Sequence, residues 1–172
     1  TIRYAAKEVV AIQRFVAHGG RLICIGDHTD MMGSGGILNE VLSPTSLRFS
    51  ADHVESIGAT FPLGFGGCLG TYGEPAPVSI MTGCSVSVGW GALPVLVTYA
   101  SQCLAADYAN NYKFGQLPAV RCIEGRPVVG AACCTYGLGS AWAIGDGTML
   151  SGFGLVGGNR IRFWRWIIGQ AA

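Results

Sequence analysis

The residues best suited to chemistry form one short polar segment, Gly26-Asp27-His28-Thr29-Asp30, which directly follows an apolar run. Two carboxylates and an imidazole so close together offer donor atoms for a divalent metal ion, or an acid and a base for catalysis. Asp146 follows a second apolar run, and it is expected to lie near the first segment if the two runs are neighbouring strands. Asp27, His28, Asp30 and Asp146 are therefore the ligand-binding candidates.

The same residues also have a structural interpretation. Asp and Thr side chains commonly accept hydrogen bonds from backbone N–H groups where a helix or turn begins, and a helix is predicted soon after Asp27. We expect this structural role, with side chains bonded to the backbone of residues 29–36 and no metal ion held. His53 could approach His28, although its polar surroundings, Asp52-His53-Val54-Glu55, fit the solvated start of a helix better.

A second candidate region is the C-terminal segment, where arginines alternate with aromatic side chains. Arg and Trp are enriched in protein interfaces and at membrane surfaces. Two tryptophans two positions apart on a helix point in different directions, so we expect that they do not share one core. The interface candidates are Arg160, Arg162, Trp164, Arg165 and Trp166.

Apolar periodicity predicts the elements that must position these residues. Residues 1–17 have helical spacing, and His18-Gly19-Gly20 ends that helix. Residues 22–25 and 141–144 are apolar on successive positions, which predicts buried central strands of a mainly parallel sheet, with helices 2–17 and 160–168 on its faces. Further elements are a helix at about 35–42 and strands at 47–49, 78–81, 84–88, 94–99 and 127–134.

Composition limits the class of protein. The chain has 172 residues, of which 50% are hydrophobic, and its 11 basic and 10 acidic side chains leave a formal net charge of +1. Such a chain is expected to fold as one α/β domain spanning residues 1–172, and it is neither disordered nor a coiled coil. The small net charge also argues against nucleic acid as a partner.

Residues 75–106 contain no charged side chain, so a membrane helix has to be considered. Glycines, Pro94 and an alternation of period two over residues 84–88 favour strands instead. The seven cysteines lie mostly in apolar stretches, which favours buried free thiols over disulfides or a zinc site. Neither glycine-rich stretch, 33–36 or 64–67, fits a nucleotide motif, and no cofactor is expected.

Three segments together resemble a known superfamily: GGRLICIGDHTD, ILNEVLSPTSLRF and YGLGSAWAIGDGTML…GNRIRFWRWIIG. They are similar to the class I glutamine amidotransferase-like superfamily, and within it to the non-catalytic gliding-motility and intraflagellar-transport (GIFT) branch. The resemblance covers about residues 1–50 and 115–170. It implies a flavodoxin-like three-layer sandwich with a mainly parallel central sheet, whose strand-end loops gather at one edge.

Catalytic members of that superfamily carry a nucleophilic Cys on a strand-to-helix turn of the form G-x-C-x-G. In the matching stretch of this chain, His28 takes the position of the nucleophile and Asp30 that of the second glycine. Cys24 comes too early, inside the predicted strand. Glutamine hydrolysis is therefore not expected.

The resemblance and the composition together predict a non-catalytic binding or scaffolding domain, or an accessory subunit, of a larger membrane-associated assembly. Expected partners are other protein subunits, and also a membrane surface or membrane protein, with the extracytoplasmic side favoured over the cytoplasmic one. The chain opens without an initiator Met and is interpreted as part of something longer. Two alternatives stay open: a metal-dependent hydrolase using Asp27, His28 and Asp30, and a carbohydrate or small-ligand binding domain.

Overall fold

The computed structural model describes residues 3–60, 77–105, 119–150 and 158–169. The glycine-rich stretch 64–67 lies outside these residues. Two short 3-10 helices are described: His28–Gly33 follows the strand Arg21–Ile25, and Gly147–Leu150 follows the strand Gly139–Ile144. The helices are α1 (Ala6–Ala17), α2 (Ser34–Val41) and α3 (Gly158–Gly169), and the strands are β1 (Arg21–Ile25), β2 (Leu47–Phe49), β3 (Asp52–Thr60), β4 (Pro77–Gly83), β5 (Val86–Val88), β6 (Ala92–Ala105), β7 (Ala119–Tyr136) and β8 (Gly139–Ile144).

Within the described residues, the main sheet has six strands in the order β1-β8-β7-β6-β3-β4, and a small sheet joins β2 to β5. Among the described strands, only β1 and β8 run parallel, with Arg21 opposite Ser140. The other pairs are antiparallel. The α/β class is confirmed, but the expected mainly parallel sheet is wrong for this part of the chain. A tight turn at Gly137-Leu138 forces β7 and β8 to be antiparallel, because a parallel pair needs a long crossover.

The two apolar runs chosen as central strands have different positions. The run in β8 lies between β1 and β7 and is fully buried. The run in β1 is at the edge of the described sheet, and most of its residues are half-buried. The prediction of a central β1 is therefore wrong. An apolar run indicates that both faces of a strand are covered, but it does not indicate a neighbour on each side.

Alternate residues of β8 face two separate cores. Trp142 and Ile144 pack with residues of α3, whereas Ala141 and Ala143 pack against Leu42 and Phe49 from the α2 and β2 side. This alternation is the period of two expected of a strand with both faces covered. The central strand is thereby held between two layers, as the sequence predicts.

Local interactions fix the ends of the first helix. The Glu8 side chain accepts a hydrogen bond from the backbone N–H of Ala5 at 2.6 Å, which begins α1. Gly19, with a φ of 108°, supplies the left-handed conformation that lets the chain leave the helix and enter β1.

The uncharged span of residues 75–106 contributes strands β4, β5 and β6 to the described structure, as its alternation predicts. No helix in the described ranges combines the length and the apolar character needed to cross a bilayer.

Candidate functional site

The parallel pair β1 and β8 ends at the point where the polar segment begins. The backbone N–H of Gly26 donates to the carbonyl of Ile144 at 2.8 Å, so the two strands leave the sheet side by side. Asp27 follows β1 and Asp146 follows β8 at the same carboxyl end of the pair. This is the edge at which α/β folds commonly bind ligands.

Asp27 and His28 form the start of the turn after β1. Oδ1 of Asp27 accepts the backbone N–H of His28 at 2.7 Å and lies 3.8 Å from Nε2 of the same residue. His28 begins a 3-10 helix, so it stands at a strand-to-helix turn of the kind the sequence predicts. Its side chain is buried, with 8% of the residue exposed.

A second histidine lies against the first. His53, in strand β3, places its ring centroid 5.6 Å from that of His28, and the two ring planes are tilted by 39°. His53 is buried, and its Nε2 has no hydrogen-bond partner among the described residues. The prediction that His53 could approach His28 is confirmed, but the solvated helix start is wrong because the segment is a buried strand.

A buried carboxylate next to His53 accepts hydrogen bonds from both the backbone and the side chain of Ser85. Asp52 has no exposed surface, and its two oxygens accept the N–H of Ser85 at 2.7 Å and the Ser85 hydroxyl at 2.6 Å. Asp146 is similarly buried and accepts the N–H and the hydroxyl of Thr148 at 2.8 and 2.5 Å. We call Asp27, His28, Asp52, His53 and Asp146 the carboxyl-end cluster.

Burial changes the proton affinities of the first two members of this cluster. Desolvation raises the pKa of Asp27 above its ordinary 3.8, with the charge of Asp146 acting in the same direction, although the His28 N–H and imidazole oppose the rise. Desolvation also lowers the pKa of His28 below its ordinary 6.5, against the attraction of Asp27. Both shifts disfavour the charged forms of these two side chains.

A cysteine that the sequence analysis did not select lies at the same place. A Cβ at Gly26 would lie 3.2 Å from Sγ of Cys84, and the N–H of Cys84 donates to the carbonyl of Gly145 at 2.8 Å. Burial, together with the charges of Asp52, Asp27 and Asp146, raises the pKa of the Cys84 thiol. Because the thiolate is the reactive form, Cys84 is held in an unreactive state.

Asp30 has a different role from the rest of the predicted site. Its Oδ1 accepts the backbone N–H of Gly36 at 2.9 Å, in the first turn of α2. It adopts a left-handed backbone with a φ of 53°, as does Met32 nearby with 55°. This bond to the backbone is the structural role expected for the segment, and it directs Asp30 towards α2.

The arrangement is therefore a buried group of imidazoles and carboxylates whose oxygens mostly contact the chain's own N–H and hydroxyl groups. Within the ranges that the structure describes, no three His, Cys, Asp or Glu side chains are placed to hold a metal ion. What the cluster can do chemically is take up and release a proton at His28, whose pKa is lowered by burial. The ligand-binding role of Asp27, His28, Asp30 and Asp146 stays a prediction.

The tryptophans of the C-terminal interface candidates are core residues. Trp166 packs edge-on against Trp142 at a centroid distance of 6.1 Å, and Nε1 of Trp164 donates to the carbonyl of Met149 at 3.1 Å. Only 7% of Trp164 and 4% of Trp166 is exposed. The expectation that they do not share one core is wrong, because the Gly147–Leu150 turn covers the helix on a side that the sheet leaves open.

The arginines of the same helix are placed differently. Arg162 and Arg165 are exposed, so they stay available for an interface. Arg160 lies in α3, and its side chain is outside the described part of the structure.

A separate groove of about 450 Å³ lies between the beginning of α1 and that of α2. The hydroxyl of Ser34 in its wall is buried and has no hydrogen-bond partner among the described residues. Beside it, Arg3 pairs with Glu40 at 2.7 Å. The groove is lined by Arg3, Tyr4, Glu8, Ser34, Ile37 and Leu38.

Sequence reasoning identified the members of the cluster that follow β1 and β8, but missed Asp52, Ser85 and Cys84. The apolar runs 22–25 and 141–144 indicate where β1 and β8 end, so the polar residues after each run are easy to recognise. Asp52 begins β3 and Ser85 precedes the short strand β5, and neither residue follows an apolar run. The one available signal is the alternation over residues 84–88, which places Ser85 at the start of a strand.

The fold is similar to those of solved proteins of low sequence identity. The mmIFT52 N-terminal domain matches with a TM-score of 0.65 and 14% identity, over 99% of this chain and 73% of that one. The cytoplasmic protein STM1381 from Salmonella typhimurium LT2 matches with a TM-score of 0.56 and 13% identity, over 95% of this chain and 60% of that one. No protein-family model and no curated protein sequence matches the chain. The likeness therefore establishes a shared fold with the IFT52 N-terminal domain.

Proposed function

We propose that the chain is a GIFT-type domain that acts without catalysis, as a binding or scaffolding subunit of a protein complex. The observation that carries the proposal is the fold likeness to the IFT52 N-terminal domain over almost the whole chain. The name of that domain agrees with the intraflagellar-transport part of the resemblance in the sequence. A shared fold does not fix a function, so the chemistry of the site has to agree with the same role.

The chemistry of the site supports a role without a thiol nucleophile. At the turn where catalytic members of the superfamily place cysteine, this chain has His28. The two described thiols closest to this end are poorly suited to replace it, because burial raises the pKa of Cys24 to about 12 and raises that of Cys84 as well. The backbone bonds of Asp30, Asp52 and Asp146 are what a structural role requires.

The proposal includes the location of the assembly at a membrane, on the extracytoplasmic side. Its support is compositional: 12% of the residues are charged and 50% are hydrophobic, so the protein has few charges to spread over its surface. Low surface charge is typical of proteins that cover a face with a partner or with lipid. The partners proposed are other subunits of the complex.

Two measurements test this function. The first is glutamine-dependent ammonia release by the purified chain before and after thiol alkylation, for which we expect no activity in either state. The second is cross-linking of the tagged protein in its native cells, followed by mass spectrometry. We expect reproducible partner cross-links that are lost when Arg162 and Arg165 are both replaced by Glu.

The matched control for the second measurement is Arg48→Glu, which reverses one exposed charge on β2, away from α3. It should leave the cross-links in place. Alkylation-sensitive ammonia release would overturn the non-catalytic proposal. Activity that appears only with added divalent metal would favour the hydrolase that uses Asp27, His28 and Asp30.

A further inference from the structure

Two turns of the molecule project large apolar side chains almost completely into solvent. Trp90, in the turn before β6, is 98% exposed, and Leu138, in the turn between β7 and β8, is 86% exposed. Scattered apolar residues at moderate exposure are ordinary on protein surfaces. Apolar side chains of this size are unusual when they protrude from the surface, because nearly all of their apolar area is then hydrated.

Strand pairing places both turns at the same end of the sheet. Ala92, at the start of β6, pairs with Cys134, which is two residues before the end of β7. Trp90 therefore precedes Ala92 at the end of the sheet where Leu138 follows Tyr136. Both turns are held by hydrogen bonds. The Ser46 hydroxyl donates to the Trp90 carbonyl at 2.7 Å. The backbone N–H of Leu138 donates to the Ala17 carbonyl at 2.9 Å.

Two helices bring further apolar side chains to this end. Phe15, in the last turn of α1, is 60% exposed, and α1 ends where its Ala17 carbonyl meets the Leu138 turn. Ile168, in the last turn of α3, is 61% exposed. Nη1 of Arg21, at the start of β1, donates to the carbonyl of Ile167 at 2.7 Å, which ties the end of α3 to the same region. We call Phe15, Trp90, Leu138 and Ile168 the amino-end edge.

Among the side chains that the structure describes, the charges around this edge are of one sign. Arg14 is exposed beside Phe15, and Arg21 begins the neighbouring strand. The acidic side chains that the structure describes lie elsewhere, four of them at or beyond the opposite end of the β1–β8 pair. Glu8 caps the far end of α1, and Glu40 is already paired with Arg3. An anionic surface is therefore the electrostatic complement of the edge.

We propose that the amino-end edge is a membrane-docking surface, which inserts Trp90 and Leu138 shallowly into a bilayer that contains anionic lipid. A protein partner would need a pocket for each protruding side chain, whereas a bilayer interface accepts both without one. Tryptophan favours this interface, and arginines beside it bind lipid headgroups. The inference rests on the membrane location in the proposed function, but not on the scaffolding role.

Intrinsic fluorescence gives a direct test, because the chain has four tryptophans and the other three, Trp142, Trp164 and Trp166, are buried. The protein is mixed with vesicles of phosphatidylcholine alone, and with vesicles of phosphatidylcholine and phosphatidylglycerol in equal parts. With the mixed vesicles we expect a blue shift of the emission, less quenching by acrylamide, and co-sedimentation. Binding to phosphatidylcholine alone should be weaker. In Trp90→Phe the spectral change should be lost.

Leu138→Ser should weaken binding to the mixed vesicles about tenfold, because the variant loses the burial of one large apolar side chain. The matched control is Met32→Ser, which removes an apolar side chain that is 78% exposed at the opposite end of the sheet. This control should bind as the parent protein does. Circular dichroism checks that each variant is folded.

Several results would overturn the inference: no response of the folded protein to the mixed vesicles, equal binding to both kinds of vesicle, or equal weakening by Met32→Ser and Leu138→Ser. A blue shift that grows with protein concentration in the absence of lipid would do so too, because it would identify the edge as a contact between protein chains. Failure here leaves the partner cross-links of α3 intact, so the two proposals can fail separately.

Discussion

The two ends of the β1–β8 pair depart in opposite directions from the usual distribution of polar and apolar residues. At the carboxyl end, Asp52 and Asp146 are buried with their oxygens bonded to the chain's own N–H and hydroxyl groups. At the amino end, Trp90 and Leu138 are exposed to solvent. Burial of polar groups specifies one arrangement of the chain, whereas exposure of apolar groups adds little to folding. The carboxyl end of the pair therefore organises the fold, whereas the amino end is available to a partner.

The largest effect on stability is expected for Asp52→Ala. The variant leaves the N–H and the hydroxyl of Ser85 buried without their acceptors, which should lower the free energy of unfolding by about 3 kcal/mol. Urea denaturation followed by circular dichroism measures the change. Asp52→Asn keeps one acceptor oxygen and should lose roughly half as much. A loss under about 1 kcal/mol for the alanine variant would show that this end does not organise the fold.

A smaller effect is expected at the edge of the same end, for Asp30→Ala. Asp30 accepts the N–H of Gly36 in the first turn of α2, and removal of such a cap costs about 1 kcal/mol. Asp30→Asn retains an acceptor and tolerates the left-handed backbone at this position, so it should stay close to the parent protein. The pair is compared by urea midpoint, and equal losses in both variants would argue against the cap.

The dependence of stability on pH tests the histidine of the cluster. Because the pKa of His28 is lowered on folding, the unfolded chain binds a proton that the folded chain resists, and stability falls as the pH drops below 6.5. His28→Gln removes this contribution, so the variant should lose less stability between roughly pH 7.5 and roughly pH 5.5. Asp27, whose pKa is raised, is present in both proteins. Identical losses in the two proteins, measured by urea denaturation at each pH, would contradict the assignment.

The smallest effect is expected at the amino end. Leu138→Ser removes an apolar side chain that makes few contacts, so the free energy of unfolding should change by no more than about 0.5 kcal/mol. Thermal or urea unfolding measures it on the same protein that is used for vesicle binding. A loss comparable to that of Asp52→Ala would remove the contrast between the two ends.

The elements with strong local patterns were predictable from the sequence. Helix α1 and strand β8 follow from apolar spacing and from the glycines that end them. The direction of strand pairing was not predictable, because the strands predicted at 94–99 and 127–134 could pair in either orientation and only long-range contacts decide between them. The two apolar runs and the resemblance both predicted a mainly parallel sheet, whereas the described strands are mostly antiparallel.

The candidate site was predictable to the same partial extent. Asp27 and Asp146 follow apolar strands, so their meeting follows once those strands pair. The approach of His53 to His28 depends on the register in which β3 pairs with β6, and that register shifts along the strands. The burial of both Trp164 and Trp166 depends on the turn after β8. None of these distant contacts has a local signal in the sequence.

The parallel pairing of β1 with β8 also has a consequence during synthesis. Residues 21–25 are made well before their partner strand, residues 139–144, because most of the described chain lies between the two. Until then the apolar segment of β1 has no strand to bind, and Asp27 cannot meet Asp146. Contacts so distant in sequence form slowly, and an unpaired apolar strand is prone to aggregation. The nascent chain is therefore expected to depend on chaperones until β8 has emerged.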